Sequence, residues 1–107
     1  MSNLDEIFTK EQFDEQIKGS IPTIVDFYAS WCGPCKMQAP ILHEFLEDIG
    51  DKVKIVKVDV DQNPDLASQY SVQSIPTLII FKDGIMKDKV VGLTTKATLS
   101  EMLIKLL

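Results

Sequence analysis

A short run of apolar, β-branched and aromatic residues, Ile21-Pro-Thr-Ile-Val-Asp-Phe-Tyr-Ala29, leads into Trp31-Cys-Gly-Pro-Cys35 and then into a segment of helical period. The run is too short for a helix and is bounded by Gly19-Ser20 and by the cysteine turn, so it reads as a buried strand. Beyond the turn, Gln38, Ile41, Leu42, Phe45, Leu46 and Ile49 recur at helical spacing and stop at Gly50, which suits a C-terminal cap. A helix from Pro34 to Ile49 is predicted. Pro40 falls inside it, removes a backbone donor and crowds the preceding turn, so a kink is expected there.

The remainder of the chain alternates in the same way. Val53 to Val60 has strand period. Asn63-Pro64 then offers a capping side chain followed by proline at the first helical position, predicting a short helix to Tyr70. Thr77–Phe81 and Lys87–Val91 flank Lys82-Asp83-Gly84, where Asp-Gly signals a hairpin turn, so these strands pair antiparallel. Leu99, Met102, Leu103 and Leu106 lie on one helical face behind Thr94-Thr95, a capping pair. At the front, a short strand near Asp5 to Phe8 precedes a weaker helix carrying Phe13 and Ile17. The order β-α-β-α-β-α-β-β-α predicts an α/β fold, a mixed sheet with helices on both faces, in one domain over residues 1–107.

The composition excludes several classes of function. A hydrophobic fraction of 45% and a charged fraction of 25% are ordinary for a globular domain. The net charge is −5, and the 11 Lys and Arg residues form no patch that would track a phosphate backbone, so nucleic acid is not an expected partner. Met1 to Phe8 has neither a basic stretch nor an apolar core of a secretory signal. No apolar run approaches the ~20 residues that span a bilayer, and the longest, Ile75 to Phe81, is broken by Pro76 and Thr77. A soluble, cytoplasmic protein with no membrane partner is expected. The two cysteines, Cys32 and Cys35, would close too small a loop to staple a fold, so a working thiol pair in a reducing compartment fits them better.

Between a buried strand and a helix, Cys32 sits where backbone N–H groups are unpaired and the helix dipole favours negative charge. A thiolate is the attacking species in disulfide exchange, so this position suits a nucleophile that is exposed to its substrate. Cys35, one turn further in and more deeply placed, is positioned to attack the mixed disulfide that Cys32 would form.

The segments Phe27-Tyr-Ala-Ser-Trp-Cys-Gly-Pro-Cys-Lys-Met, Lys57-Val-Asp-Val-Asp, Ser74-Ile-Pro-Thr-Leu, Phe81-Lys-Asp-Gly and Gly92 resemble the thioredoxin family, in the same order and along the whole chain. The resemblance implies a thioredoxin fold with a central four- to five-stranded mixed sheet. It also implies a monomeric thiol–disulfide oxidoreductase that holds no cofactor and no metal. Its redox-active Cys32–Cys35 pair would reduce disulfide-containing client proteins and be re-reduced by a thioredoxin reductase. Gly33-Pro34 between the cysteines is similar to the reducing members of that family, in contrast to the Gly-His of isomerases and the Pro-His of periplasmic oxidants.

The resemblance also bears on residues that the sequence leaves open. Asp26 stands in the apolar run on the face of Ile24 and Tyr28; its apolar neighbours favour burial, with an exposed edge strand as the alternative. The resemblance makes it a general base for Cys35, through a water, with Lys57 as charge partner; Lys57 is otherwise an ordinary strand lysine. Pro76 opens a strand and could be trans, whereas the resemblance implies a cis-proline against the cysteine pair, with the backbone of Ile75 pairing with substrate. Trp31 could be core, or could face substrate beside the turn together with Gly92.

His43 reads as a solvated residue on the helix surface. Asp59, Asp61 and Asp65 lack the glycine and terminal glutamate of a calcium loop and read as polar connection and cap. Three positions depart from the family pattern: Tyr28 where a second tryptophan is frequent, Ser71 where a glycine often ends the short helix, and Gln73 where arginine is common. Two other functions fit the same residues. One is a binding module in which the cysteines are silent, and the other is half of a dimeric zinc or iron–sulfur site, since one CxxC supplies two thiolates of four.

Overall fold

A computed structural model describes residues 4–106; Met1 to Asn3 and Leu107, the ends of the span read as one domain, lie outside the described residues. The elements are β1 (Asp5–Ile7), α1 (Lys10–Ile17), β2 (Thr23–Tyr28), α2 (Gly33–Ile49), a 3-10 turn (Gly50–Lys52), β3 (Lys54–Asp59), α3 (Pro64–Gln69), β4 (Thr77–Lys82), β5 (Ile85–Val91) and α4 (Lys96–Ile104). This is the expected order with the 3-10 turn added. The strands form one sheet in the order β1-β3-β2-β4-β5. β1 and β2 run parallel to β3, while β4 is antiparallel to both β2 and β5.

Strand alternation divides the core between the two faces of the sheet. Val25, Phe27, Val56, Val58, Ile79 and Phe81 point to one face and pack on Phe13 and Ile17 of α1 and Leu66 of α3. There Phe81 meets the rings of Phe13 and Tyr70 edge-on at 5.5 and 5.3 Å. Ile24, Ile55, Leu78 and Ile80 point to the other face and meet Leu42 and Phe45 of α2 and Leu99, Met102 and Leu103 of α4. Asp26 belongs to this second face by the same alternation.

Local chemistry fixes the ends of the elements. Thr9 caps α1 by accepting the Gln12 N–H at 3.1 Å, while Gln12 Oε1 accepts the Phe8 N–H at 2.7 Å. Gly50 ends α2 with φ 67°, and its N–H donates to the Leu46 carbonyl. Of the Thr94-Thr95 pair, Thr95 is the cap of α4 and accepts the Thr98 N–H at 3.2 Å. β5 starts at Ile85, two residues earlier than expected, so the turn is Asp83-Gly84 alone. Both turn residues are left-handed, φ 56° and 77°, which matches the strand twist of a two-residue hairpin.

Two expectations are corrected and one is borne out. Asn63 makes no side-chain cap to α3; its Nδ2 donates instead to the carbonyls of Ile7 and Asp59 at 3.3 and 3.1 Å, joining the ends of β1 and β3. Asp59 Oδ1 accepts the backbone N–H of Asp61 at 2.9 Å and shapes that connection. His43 is half-buried, with Nδ1 out of solvent and without a hydrogen-bond partner, rather than solvated.

Candidate active site

β2 ends at Tyr28, and the chain turns through Ala29 and Ser30 into α2, leaving Cys32 as the residue that caps the helix. Its backbone is extended, φ −85° and ψ 114°, and Sγ accepts the Cys35 N–H at 3.1 Å. This contact occupies one of the orphan donors of the first turn and aims the positive end of the helix at sulfur. The turn is closed behind it by the Cys32 N–H donating to the Ala29 carbonyl at 3.2 Å. Gly33 and Pro34 open the helix; proline there loses nothing, because its absent N–H is one the helix does not use. Cys32 and Cys35 are joined as a disulfide with Cα atoms 5.2 Å apart.

Both cysteines are 4% exposed, so the expected contrast between an accessible Cys32 and a deeper Cys35 is absent from this disulfide form. The cause is geometric: Cys32 Sγ is linked to Cys35 on one side and covered by the Ile75 carbonyl, 3.8 Å away, on the other. Ile75-Pro76 is a cis peptide that leads into β4, with Pro76 buried and Ile75 half-buried. The Gly92 N–H donates to the Pro76 carbonyl at 2.8 Å and places the end of β5 beside the same turn. Gly92 has φ 94°, a region open to glycine and strained for other residues. Trp31 is 69% exposed, its indole N–H donating to Asp61 Oδ2 at 2.8 Å, so it is not a core residue. Trp31, Gly33, Pro34, Ile75, Pro76 and Gly92 therefore stand around the cysteine pair.

Asp26 and Lys57 face each other in register on β2 and β3. Asp26 is 1% exposed, which settles the choice between burial and an edge position. In register, Lys57 stands between Glu6 of β1 and Asp26 of β2, an acid–base–acid row across three strands. Burial pushes the Asp26 carboxyl up from its ordinary 3.8 to about 7; the Lys57 ammonium opposes that rise and the Glu6 carboxylate adds to it. Asp26 Oδ1 has no hydrogen-bond partner, consistent with a carboxyl held near neutrality by its surroundings. Lys57 Nζ lies 4.3 Å from the centre of the Tyr28 ring, and the Tyr28 hydroxyl donates to both Glu6 oxygens at 2.8 Å. Burial, then the Glu6 bond, raises the Tyr28 hydroxyl well above the usual phenol range. A cleft of about 160 Å³ lined by Tyr28, Ala29, Ser30, Cys35, Lys36, Ala39 and Lys57 opens Cys35 and Lys57 to one shared space. A larger hollow, about 380 Å³, lies around Asp5, Gly50 and Val53 to Val56 and contains none of these residues.

Sequence reasoning missed Glu6, Tyr28 as the anchor of Lys57, and Gln38. The signal for Gln38 was present: an amide at a core position of α2, among Leu42, Phe45 and Ile49. Among the described residues, no group of three or more His, Cys, Asp or Glu side chains could hold a metal ion. No helix is long and apolar enough to cross a membrane, again among the described residues.

A vicinal cysteine pair closed as a disulfide at the N-terminus of a helix, on a mixed five-stranded sheet, defines a protein of thiol–disulfide exchange. The family model "Thioredoxin" matches residues 5–105, and the chain belongs to the thioredoxin family. It is 54% identical over 91 residues to thioredoxin 1 of Synechococcus elongatus, covering 85% of each chain. It is 53% identical over 97 residues to the thioredoxin of Staphylococcus haemolyticus, covering 91% of this chain and 92% of that one. Among solved structures, oxidised mitochondrial thioredoxin 3 of Saccharomyces cerevisiae superposes with a TM-score of 0.86 at 34% identity, covering 95% of this chain and 94% of that one. The thioredoxin of Trypanosoma brucei brucei gives 0.88 at 31% identity, covering 96% and 89%. The protein is a thiol–disulfide oxidoreductase whose redox-active group is the Cys32–Cys35 pair.

Proposed function

We propose that the chain is a cytoplasmic, monomeric protein-disulfide reductant. The Cys32 thiolate attacks one sulfur of a client disulfide; a Cys32–client mixed disulfide forms and the other client sulfur leaves as a thiolate. Cys35 gives its proton, through water, to the Asp26 carboxylate and attacks Cys32 Sγ. The Cys32–Cys35 disulfide closes, the second client thiolate leaves, and two electrons have passed to the client. A thioredoxin reductase returns two electrons to the pair. No bound cofactor is needed, because the electrons reside in the dithiol.

The observation that carries this reading is Cys32 as the helix cap, with its sulfur on the Cys35 N–H. Such a donor stabilises a thiolate on Cys32 and leaves Cys35 protonated until a base takes its proton. The buried Asp26, held up to about 7, is matched to accepting a proton near neutral pH. Lys57 tunes that carboxyl. Trp31, Gly33, Pro34, Ile75, Pro76 and Gly92 form the surface on which an extended client segment lies, with the Ile75 backbone as its pairing partner.

The test is insulin disulfide reduction with dithiothreitol as electron donor. Wild type is expected to accelerate insulin precipitation, Cys32→Ser to abolish the effect, and Cys35→Ser to accumulate mixed disulfides visible by mass spectrometry. A wild type no faster than dithiothreitol alone would refute the reading.

A further inference from the structure

Gln38 has no exposed surface, yet it is a polar residue one helical turn beyond Cys35. Both ends of its carboxamide bind the backbone of one residue: Oε1 accepts the Thr94 N–H at 2.8 Å, and Nε2 donates to the Thr94 carbonyl at 3.0 Å. The pattern fixes the orientation of the amide, since a donor and an acceptor face it in set positions. An apolar side chain of equal length would leave the Thr94 N–H and carbonyl buried and unpaired.

The bonds continue from Thr94 to the site. Thr94 Oγ1 donates to the Gly92 carbonyl at 2.9 Å, and the Gly92 N–H donates to the Pro76 carbonyl at 2.8 Å. Gln38 thus ties the helix that carries the cysteines to the segment 92–94, and through it to the Ile75-Pro76 turn. The segment it holds projects apolar surface: Val91 and Leu93 are exposed on either side of Gly92, as is Met37 beside Gln38. None of these links touches Cys32, Cys35, Asp26 or Lys57.

We propose that Gln38 is a positioning residue for protein substrates: its paired bonds to Thr94 hold the Gly92–Leu93 rim at a set spacing from Cys32 and Ile75. The inference rests on the reductant reading above. A client polypeptide must lie across both Ile75 and the rim, so it benefits from a spacing fixed before it binds. A small aromatic disulfide needs only the sulfur of Cys32. Gln38 therefore governs the KM for protein disulfides and leaves the chemistry at sulfur unchanged.

The experiment compares wild type, Gln38→Met and Thr94→Val on insulin with dithiothreitol as donor and, after reduction and removal of dithiothreitol, in single turnover on 5,5′-dithiobis(2-nitrobenzoate). For Gln38→Met the insulin KM is expected to rise about tenfold with kcat within about twofold, and the rate on the small disulfide to stay within about twofold. Amide exchange at Leu93 and Thr94 is expected to speed up in the same variant. Thr94→Val keeps the Gln38 bonds and cuts only the hydroxyl link to Gly92, so its insulin KM should rise by a smaller factor, about threefold. A residue that merely stabilised the fold would lower the melting temperature and move neither KM. An unchanged insulin KM, or equal losses on both substrates, overturns the proposal. Should Gln38→Met not fold, Thr94→Val decides by the same split. A wild type inactive on both disulfides would sink the reductant reading and this inference together, whereas an active wild type without the split sinks the clamp alone.

Discussion

Replacing Asp26 by Asn should remove a pH-dependent loss of stability whose sign and size follow from burial. Asp26 is 1% exposed and its carboxyl is pushed from 3.8 up to about 7. The unfolded chain therefore releases this proton at lower pH than the folded protein does. Below the unfolded value the group is neutral in both states and contributes nothing. Between the two values each rise in pH favours the unfolded state, and above the folded value the penalty is complete. At about 1.4 kcal/mol per pH unit, a displacement of about three units amounts to about 4 kcal/mol, roughly half of it already present near pH 5.5. The assay is urea unfolding of the oxidised wild type and Asp26→Asn, with their difference plotted against pH. It should grow by about 3 to 4 kcal/mol from about pH 4 to about pH 8.5, in favour of the variant. The packing of Asn and its own unpaired amide add a constant that moves the curve without tilting it. A difference flat to within about 1 kcal/mol across that range would refute the reasoning, because it would mean that Asp26 ionises alike in both states.

The charges, backbone and core around the site lead to further expected outcomes. Lys57→Met should raise the Asp26 pKa further and Glu6→Gln should lower it, since the first removes an opposing charge and the second a like one; carbon-13 titration of the Asp26 carboxyl reads both, and shifts of the same sign would contradict the row of charges. Ser71 holds φ 56° where the chain leaves α3, so Ser71→Gly should stabilise by about 0.5 to 1 kcal/mol in thermal melts, and a loss of stability would show that the side chain compensates for its backbone. Leu78 is fully buried between β2 and α2; Leu78→Ala should cost about 2 to 5 kcal/mol in denaturant unfolding, with a smaller loss showing that the core closes over the gap.

What the sequence made legible was whatever depends on local pattern. The strand before the cysteine turn, the helix from Gly33 to Ile49 and the Asp-Gly hairpin each announce themselves through period or turn chemistry. So did the burial of Asp26, because the apolar residues beside it along β2 leave it no solvent face. The relation of Glu6 to Lys57 and Asp26 was not legible, since strands distant in the chain meet by register and periodicity carries no register between strands. Asn63 misled for a related reason. Its position before Pro64 fits a cap, but its Nδ2 donates to the carbonyls of Ile7 and Asp59, and in that placement its Oδ1 makes no bond to the N–H groups of the first turn. The equal burial of the two cysteines was likewise invisible, because the cover over Cys32 comes from Ile75, far along the chain.

Register also explains why the site forms at one end of the sheet. Phe27 of β2 pairs with Thr77 of β4, and Thr77 pairs with Val91 of β5. β2 and β5 end at this edge while β4 begins there, so three connections emerge side by side: the cysteine turn after β2, Ile75-Pro76 before β4 and Gly92 after β5. Any fold that places an antiparallel β4 between two strands leaving in the same direction brings those connections together. What remains is their spacing, since each is irregular backbone without a ladder of its own. The Gly92–Pro76 hydrogen bond fixes one pair, and the two hydrogen bonds between Gln38 and Thr94 fix the third connection to the helix behind the cysteines. A buried amide in an apolar helix face is a poor choice for stability alone, and it lies where the sheet leaves the geometry of the site undetermined.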